Sequence, residues 1–193
     1  MVKNDQIICV DIESTCWADH TDPPIGQVSD IIEIGYALLD VKSGAILNYG
    51  SHLVHPTRSL ISEFCTQLTG ITQADVDTGI RFDEACAMIR KDLGAKNKAW
   101  CSFGEYDRAM LMSQCKDLGI NYPFSHCHLN IKAWYGLVHG SNKSKGLRKA
   151  CELEGLGWQG RHHSGLWDTF NLARLVSHLT VKTREGLKGD KHV

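Results

Sequence analysis

Residues Ile7-Ile8-Cys9-Val10 form an apolar run that gives way abruptly to Asp11 and Glu13. A run without polar alternation suits a strand covered on both faces, and such a strand requires a sheet with further layers above and below it. The rest of the pattern supplies them. Ile31 to Leu39 and Ala45 to Val54, split by Lys42-Ser43-Gly44, predict a hairpin after the first strand. Asp83 to Leu93 has helical amphipathic spacing, Ala99 to Phe103 reads as a strand, and Tyr106 to Leu118 as a helix stopped by Gly119. A short strand at Cys127 to Leu129 leads into helical segments over 130–138 and 145–154. The last helix begins near Ser164 and runs to about Leu179. Strands first, then strand and helix in alternation, predict an α/β fold with a mixed sheet covered by helices.

The chain's 193 residues contain no repeat or linker, so residues 1–181 are read as one domain and the basic stretch 182–193 as a flexible tail. Lys and Arg total 21 against 22 Asp and Glu, a net charge of −1. No global positive field draws in nucleic acid, and any grip on a polyanion must be local. The clearest local basic segment is Lys143, Lys145, Arg148 and Lys149, equally readable as a solvated helix face. No uncharged apolar run approaches the roughly 18 residues that span a bilayer, and no membrane partner is expected. Met1-Val2-Lys3-Asn4-Asp5 lacks the apolar core of a secretory signal, which predicts a reducing, cytoplasmic setting. The eight cysteines contain no C-x-x-C pair and read as small buried apolar groups. His126-Cys127-His128 allows a zinc reading, although no second ligand pair stands nearby.

Four carboxylates resist a purely structural reading. Asp11 and Glu13 share one face of the most apolar strand, their Cα atoms about 6.5 Å apart. Two anions there repel each other unless a cation lies between them, while an isolated D-x-E also occurs at solvated strand ends. Asp107 stands one turn before Leu111 on the stripe that continues through Cys115 and Leu118. Helix N-termini favour such an acid on their own account. Asp168 repeats the pattern ahead of Leu172, Leu175 and Leu179, with His163 five residues earlier, just before the candidate N-cap Ser164. Alone, His163 reads as a turn histidine. Together, four carboxylates and one imidazole at the ends of sheet elements predict a two-metal hydrolytic centre.

The motifs resemble those of the DEDDh 3′–5′ exonucleases, and within them the exoribonucleases that trim histone mRNA and small RNAs. Asp11-Ile12-Glu13-Ser14-Thr15-Cys16-Trp17 looks like the first motif, with Ile31-Ile32-Glu33-Ile34-Gly35 as the hairpin strand after it. Phe64-Cys65 and Leu68-Thr69-Gly70-Ile71-Thr72 are similar to a segment of that branch. Ser102-Phe103-Gly104-Glu105-Tyr106-Asp107-Arg108 resembles the second motif. Gly160-Arg161-His162-His163-Ser164-Gly165-Leu166, with Asp168 and Asn171, resembles the third. Trp167 departs from it, where relatives usually carry a second Asp. The resemblance covers about residues 5 to 180.

It implies a ribonuclease H-like mixed five-stranded sheet flanked by helices. It also implies 3′–5′ exonuclease activity on single-stranded RNA or DNA 3′ ends, RNA preferred, releasing nucleoside 5′-monophosphates. Two divalent cations, Mg²⁺ or Mn²⁺, would be held by Asp11, Glu13, Asp107 and Asp168. His163 would take the proton of the attacking water, with His162 as the adjacent alternative. Ser14, Thr15, Cys16 and Trp17 would meet the chain end, and Leu68 and Tyr106 would wall the last base unless they serve the core. A proofreading-type DNA exonuclease and a catalytically silent nucleic-acid scaffold remain the competing readings. No protein partner is called for.

Overall fold

The computed structural model describes residues 3–18, 23–140 and 145–189, with the backbone alone at 3–4 and 185–189. Five strands form one sheet: β1 (Lys3–Ser14), β2 (Ile31–Asp40), β3 (Ile46–Leu53), β4 (Lys98–Ser102) and β5 (His128–Asn130). Their order is β3-β2-β1-β4-β5. The β1–β2 and β2–β3 pairs run antiparallel, whereas β1–β4 and β4–β5 run parallel. This is the mixed sheet that the sequence predicts.

The apolar run of β1 sits at its centre for the expected reason. Ile7 and Cys9 point into one core with Leu172, Leu175 and Leu179, while Ile8, Val10 and Ile12 point into the other with Trp100, Leu111 and Ile89. Helices α5 (Ile131–Val138), α6 (Leu147–Leu153) and α7 (Gly165–Gly189) contribute to the first core. Helices α3 (Phe82–Asp92) and α4 (Tyr106–Asp117) contribute to the second. All eight cysteines are free, six of them buried, as expected of small apolar groups.

Three features differ from the sequence expectation. Two short helices, α1 (Glu63–Thr69) and α2 (Gln73–Asp77), follow β3. Each is too short to show a hydrophobic period, yet each is capped. The Ser62 hydroxyl accepts the Cys65 N–H, and Thr72 forms a reciprocal capping box with Asp75. The helix α7 continues to Gly189, through the first part of the stretch 182–193 read as a tail, whose residues 190–193 lie outside the described residues. Lys182 Nζ meets Glu154 Oε2 at 2.8 Å, and the Arg184 guanidinium donates to the carbonyls of Val41 and Lys42, so these cations serve the fold. On α6, Arg148 and Lys149 both pair with Glu152, at 3.5 and 3.1 Å, which neutralises part of that face. Lys143 and Lys191 lie outside the described residues.

Candidate active site

The C-terminal end of β1 carries Asp11 and Glu13, and the β1–β2 register shifts between Glu13 and Ser14. Such irregularities bend a strand and re-aim its side chains. Glu13 pairs across the sheet with Glu33 of β2. Glu33, 5% exposed, accepts the backbone N–H groups of Gly165 at 2.8 Å and Leu166 at 3.3 Å. It therefore holds the N-terminus of α7, where a negative charge is favoured. Helix and strand approach so closely that a Cβ on Gly35 would lie 1.9 Å from the Gly165 carbonyl oxygen. Glycine at 35 is thus a condition for docking α7, and docking α7 sets Asp168 over β1.

One ligand atom from each of Asp11, Glu13 and Asp168 lies within 4.8 Å of the other two. Asp168 shares a second such group with His162 and His163. Asp107 stands beside the first group, its Oδ1 accepting the Ile12 N–H at 3.1 Å. The four acids predicted from separate parts of the sequence thus converge at one end of the sheet.

The electrostatics are those of uncompensated anions. Burial, then the charges of Asp107, Glu13, Asp168 and Glu33, raise the Asp11 carboxyl well above its ordinary range. Burial with Asp168, Glu33 and Asp107 pushes Glu13 to about 8, opposed by the Arg161 guanidinium. Burial raises Asp107 to about 6 against the hydrogen bond from Ile12, and Asp168 to about 6 against the influence of His163. Oxygen-only donors crowded in this way fit a hard divalent cation, which would stabilise all of them in the charged form.

His163 has φ 59°, the only positive φ among the described non-glycine residues. Its backbone N–H donates to Asp168 Oδ2 at 3.3 Å, and its ring stacks on His162 with centroids 4.0 Å apart. His162 Nδ1 lies 3.3 Å from Asp168 Oδ2. Burial lowers the pKa of both imidazoles, helped at His163 by the neighbouring His162 and Arg161. Trp167 packs against the backbone of this loop: a Cβ on Gly160, whose φ is +71°, would meet the indole at 2.0 Å. The residue that departs from the motif thereby anchors the histidine segment.

The remaining expectations divide. Ser14 Oγ and the Tyr106 hydroxyl share a hydrogen bond of 2.7 Å, and Tyr106 is 58% exposed at the head of α4. Leu68 is half-buried on α1, its carbonyl accepting from Arg161 at 3.4 Å. Trp17 is partly exposed just beyond β1. Thr15 is turned inward. Its hydroxyl bonds Ser59 and the Asp30 N–H, its N–H donates to the Asp30 carbonyl, and its carbonyl accepts from Ser29. Cys16 packs beside Cys65, and burial pushes its thiol up to about 12. The zinc reading fails on geometry: His128 Nε2 bonds Ser102 Oγ at 2.9 Å, its ring packs on Trp100, and among the described residues no metal-ligand group includes His126, Cys127 or His128. The site member to which the sequence assigns no individual role is Glu33. Its signal is a lone acid inside the apolar strand Ile31-Ile32-Glu33-Ile34.

Comparison with known proteins agrees with this geometry. Residues 8–176 match the family model described as Exonuclease, RNase T. The chain is 34% identical over 183 residues to 3′-5′ exoribonuclease 1 of Rattus norvegicus, covering 89% of this chain and 52% of that protein. It is 33% identical over 196 residues to ERI1 exoribonuclease 2 of Danio rerio, covering 90% and 34%. The chain thus spans about half or less of the length of these curated relatives. The crystallographic nuclease domain of 3′hExo, a DEDDh family member bound to rAMP, superposes with a TM-score of 0.82 at 31% identity, covering 93% of each chain. Among the described residues no helix is long and apolar enough to cross a membrane. Fold, carboxylate cluster and these likenesses make the chain a member of the exonuclease family, in its DEDDh branch.

Proposed function

We propose that this chain is a metal-dependent 3′–5′ exonuclease that removes nucleoside 5′-monophosphates from single-stranded nucleic acid, with RNA preferred over DNA. The observation that carries the proposal is the sharing of Asp168 between the Asp11–Glu13 group and the His162–His163 group. A carboxylate centre and a proton acceptor then meet at one reacting phosphate. The names of the exoribonuclease relatives, and the rAMP bound by the 3′hExo nuclease domain, support RNA as substrate and the monophosphate as product.

In this reading Asp11, Glu13 and Asp168 hold one divalent cation, Mg²⁺ or Mn²⁺, and Asp11 with Asp107 serves a second. Bound there, the cations would supply activation of water and stabilisation of charge at the departing 3′ oxygen. The other work belongs to side chains. His163 accepts the water's proton, and its lowered pKa keeps the ring neutral and able to do so near neutral pH. His162 orients Asp168 through its Nδ1 contact. Ser14 and Tyr106 border the terminal nucleotide together with Cys16, Trp17 and Leu68, and base stacking on such walls tolerates any base. Thr15 contributes by holding the turn after β1.

The test offers matched 3′-labelled single-stranded RNA and DNA with Mg²⁺ or Mn²⁺ and follows release of label. Labelled mononucleotide appearing first, faster from RNA, and stopped by chelator is the expected result. Faster DNA hydrolysis would replace RNA by DNA as substrate. Binding without release by the full chain would leave a scaffold.

A further inference from the structure

The first turn of α4 presents neighbouring residues to different sites. Asp107 faces the carboxylate cluster, whereas Arg108 borders a cavity of about 370 Å³ between α4 and the segment that leads into β5. Lys96 and His126, both exposed, line the same cavity, with Tyr122 and Met112 as its apolar surface. These basic groups lack acidic partners at hydrogen-bond distance. Among the described residues neither Lys96 nor His126 has a hydrogen bond or an ion pair, and Arg108 has only a 3.8 Å approach to Glu105, long for a hydrogen bond. By contrast Arg148 and Lys149 pair with Glu152, Lys182 with Glu154, and Arg58 with Asp30 and Asp117. In a chain of net charge −1, Lys96 and Arg108 with the His126 imidazole around an aromatic wall, none of them held by an acid at hydrogen-bond distance, point to an anionic ligand with flat rings.

We infer that this cavity is a second contact site for the nucleic-acid strand, gripping phosphodiesters upstream of the 3′ end while a base lies against Tyr122. The inference rests on the exonuclease reading and extends it to substrate length. Lys98 and Ser102 mark the two ends of β4 and lie about 13 Å apart. Lys96 is beyond the first end, and the carboxylate cluster is beyond the second. A dinucleotide held at the carboxylates therefore falls short of Lys96, and a longer strand reaches it. Lys and Arg contacts to phosphate set affinity and salt dependence without reading sequence.

The experiment uses the full chain and the variants Lys96→Glu and His126→Glu, singly and together, both at exposed positions away from the carboxylates. Affinity for a long single-stranded RNA is read by fluorescence anisotropy with chelator present, across a salt series, and hydrolysis is followed on that RNA and on a dinucleotide. The double variant is expected to bind the long RNA about tenfold more weakly, with the salt slope reduced by about one for each phosphate that is no longer neutralised. Its KM for long RNA should rise in step while kcat and dinucleotide hydrolysis stay unchanged. Unaltered RNA affinity, or equal losses on both substrates, overturns the inference. So does weakened binding of inorganic phosphate without any change for RNA, which marks an isolated anion site. Wild-type failure to hydrolyse either substrate sinks the exonuclease reading instead. The anisotropy arm, read without turnover, still decides the cavity.

Discussion

Asp30 and Asp168 are both buried carboxylates beside the sheet, 0% and 6% exposed, yet their surroundings are opposite. Asp30 accepts the Thr57 N–H at 2.8 Å, the Arg58 N–H at 2.7 Å and Arg58 Nε at 2.6 Å. Glu154 is a second saturated acid, surrounded by Tyr135, His139, His178 and Lys182. Asp168 has one long backbone donor and an imidazole, and otherwise faces Asp11 and Glu13. An acid buried for structure is surrounded by donors, because an unpaired buried charge costs several kcal/mol. An acid proposed to hold a cation, such as Asp168, is left short of them. Burial alone therefore does not mark a site; unmet charge does.

The sharpest break in that comparison is exchange of acid for amide. Asp11→Asn and Asp168→Asn are expected to cut turnover by at least about 10³-fold while the unfolding midpoint holds or rises, since mutual repulsion falls. Steady-state rates and thermal melts on the same preparations check both halves. Unchanged turnover in Asp11→Asn removes the assignment.

Next in size is the histidine pair. His163→Ala should lower kcat by roughly 10²–10⁴-fold with cation affinity little changed, and His162→Ala should lower it far less. The reverse order of the two variants would transfer the base to His162, whose Nδ1 lies 3.3 Å from Asp168 Oδ2.

On the structural side, Asp30→Ala is expected to cost about 3 kcal/mol in urea unfolding, because it strands Arg58 Nε and two backbone donors. Loss below about 0.5 kcal/mol would erase the distinction between the two kinds of acid.

The pH dependence carries opposite signs in the two regions. Glu13 at about 8, with Asp107 and Asp168 at about 6, hold protons in the folded chain that the unfolded chain, with carboxyls near about 4, has released. Stability without metal should thus fall as pH rises through that window. Glu154 is held below its ordinary value, chiefly by its hydrogen bond from Lys182. Its contribution is present above the ordinary carboxylate range and is lost as pH falls. Melts from acid to mild base, with chelator and then with Mg²⁺, separate them: the cation should flatten the first slope and leave the second. The smallest effect belongs to Tyr106→Phe, which removes the bond to Ser14 and should change turnover by less than about tenfold.

Much of the fold is legible along the chain because the period of apolar residues survives in one dimension. The α4 and α7 stripes place Asp107 and Asp168 on inward faces, and both are buried. The short α1 and α2 escape that reading, since five to seven residues hold at most two turns. Their capping residues are the available signal. The C-terminal basic stretch misleads because composition predicts solvation, whereas Lys182 and Arg184 find partners just past α6 and in the turn after β2.

By itself, then, the sequence determined the two-faced central strand, the mixed sheet and the four acids at element ends. Hydrophobic periodicity and local repulsion are properties of neighbours along the chain. Only the tertiary structure decided that Glu33 caps α7 from across the sheet, that Gly35 lets that helix close on β2, and that Asp168 belongs to two groups at once. It also decided that Arg148 and Lys149 of α6 share Glu152 while Lys96 and His126 meet no acid. Those outcomes depend on contacts between residues as distant along the chain as Asp11 and Asp168, and whether a charge is met or unmet is settled only when its distant partners arrive.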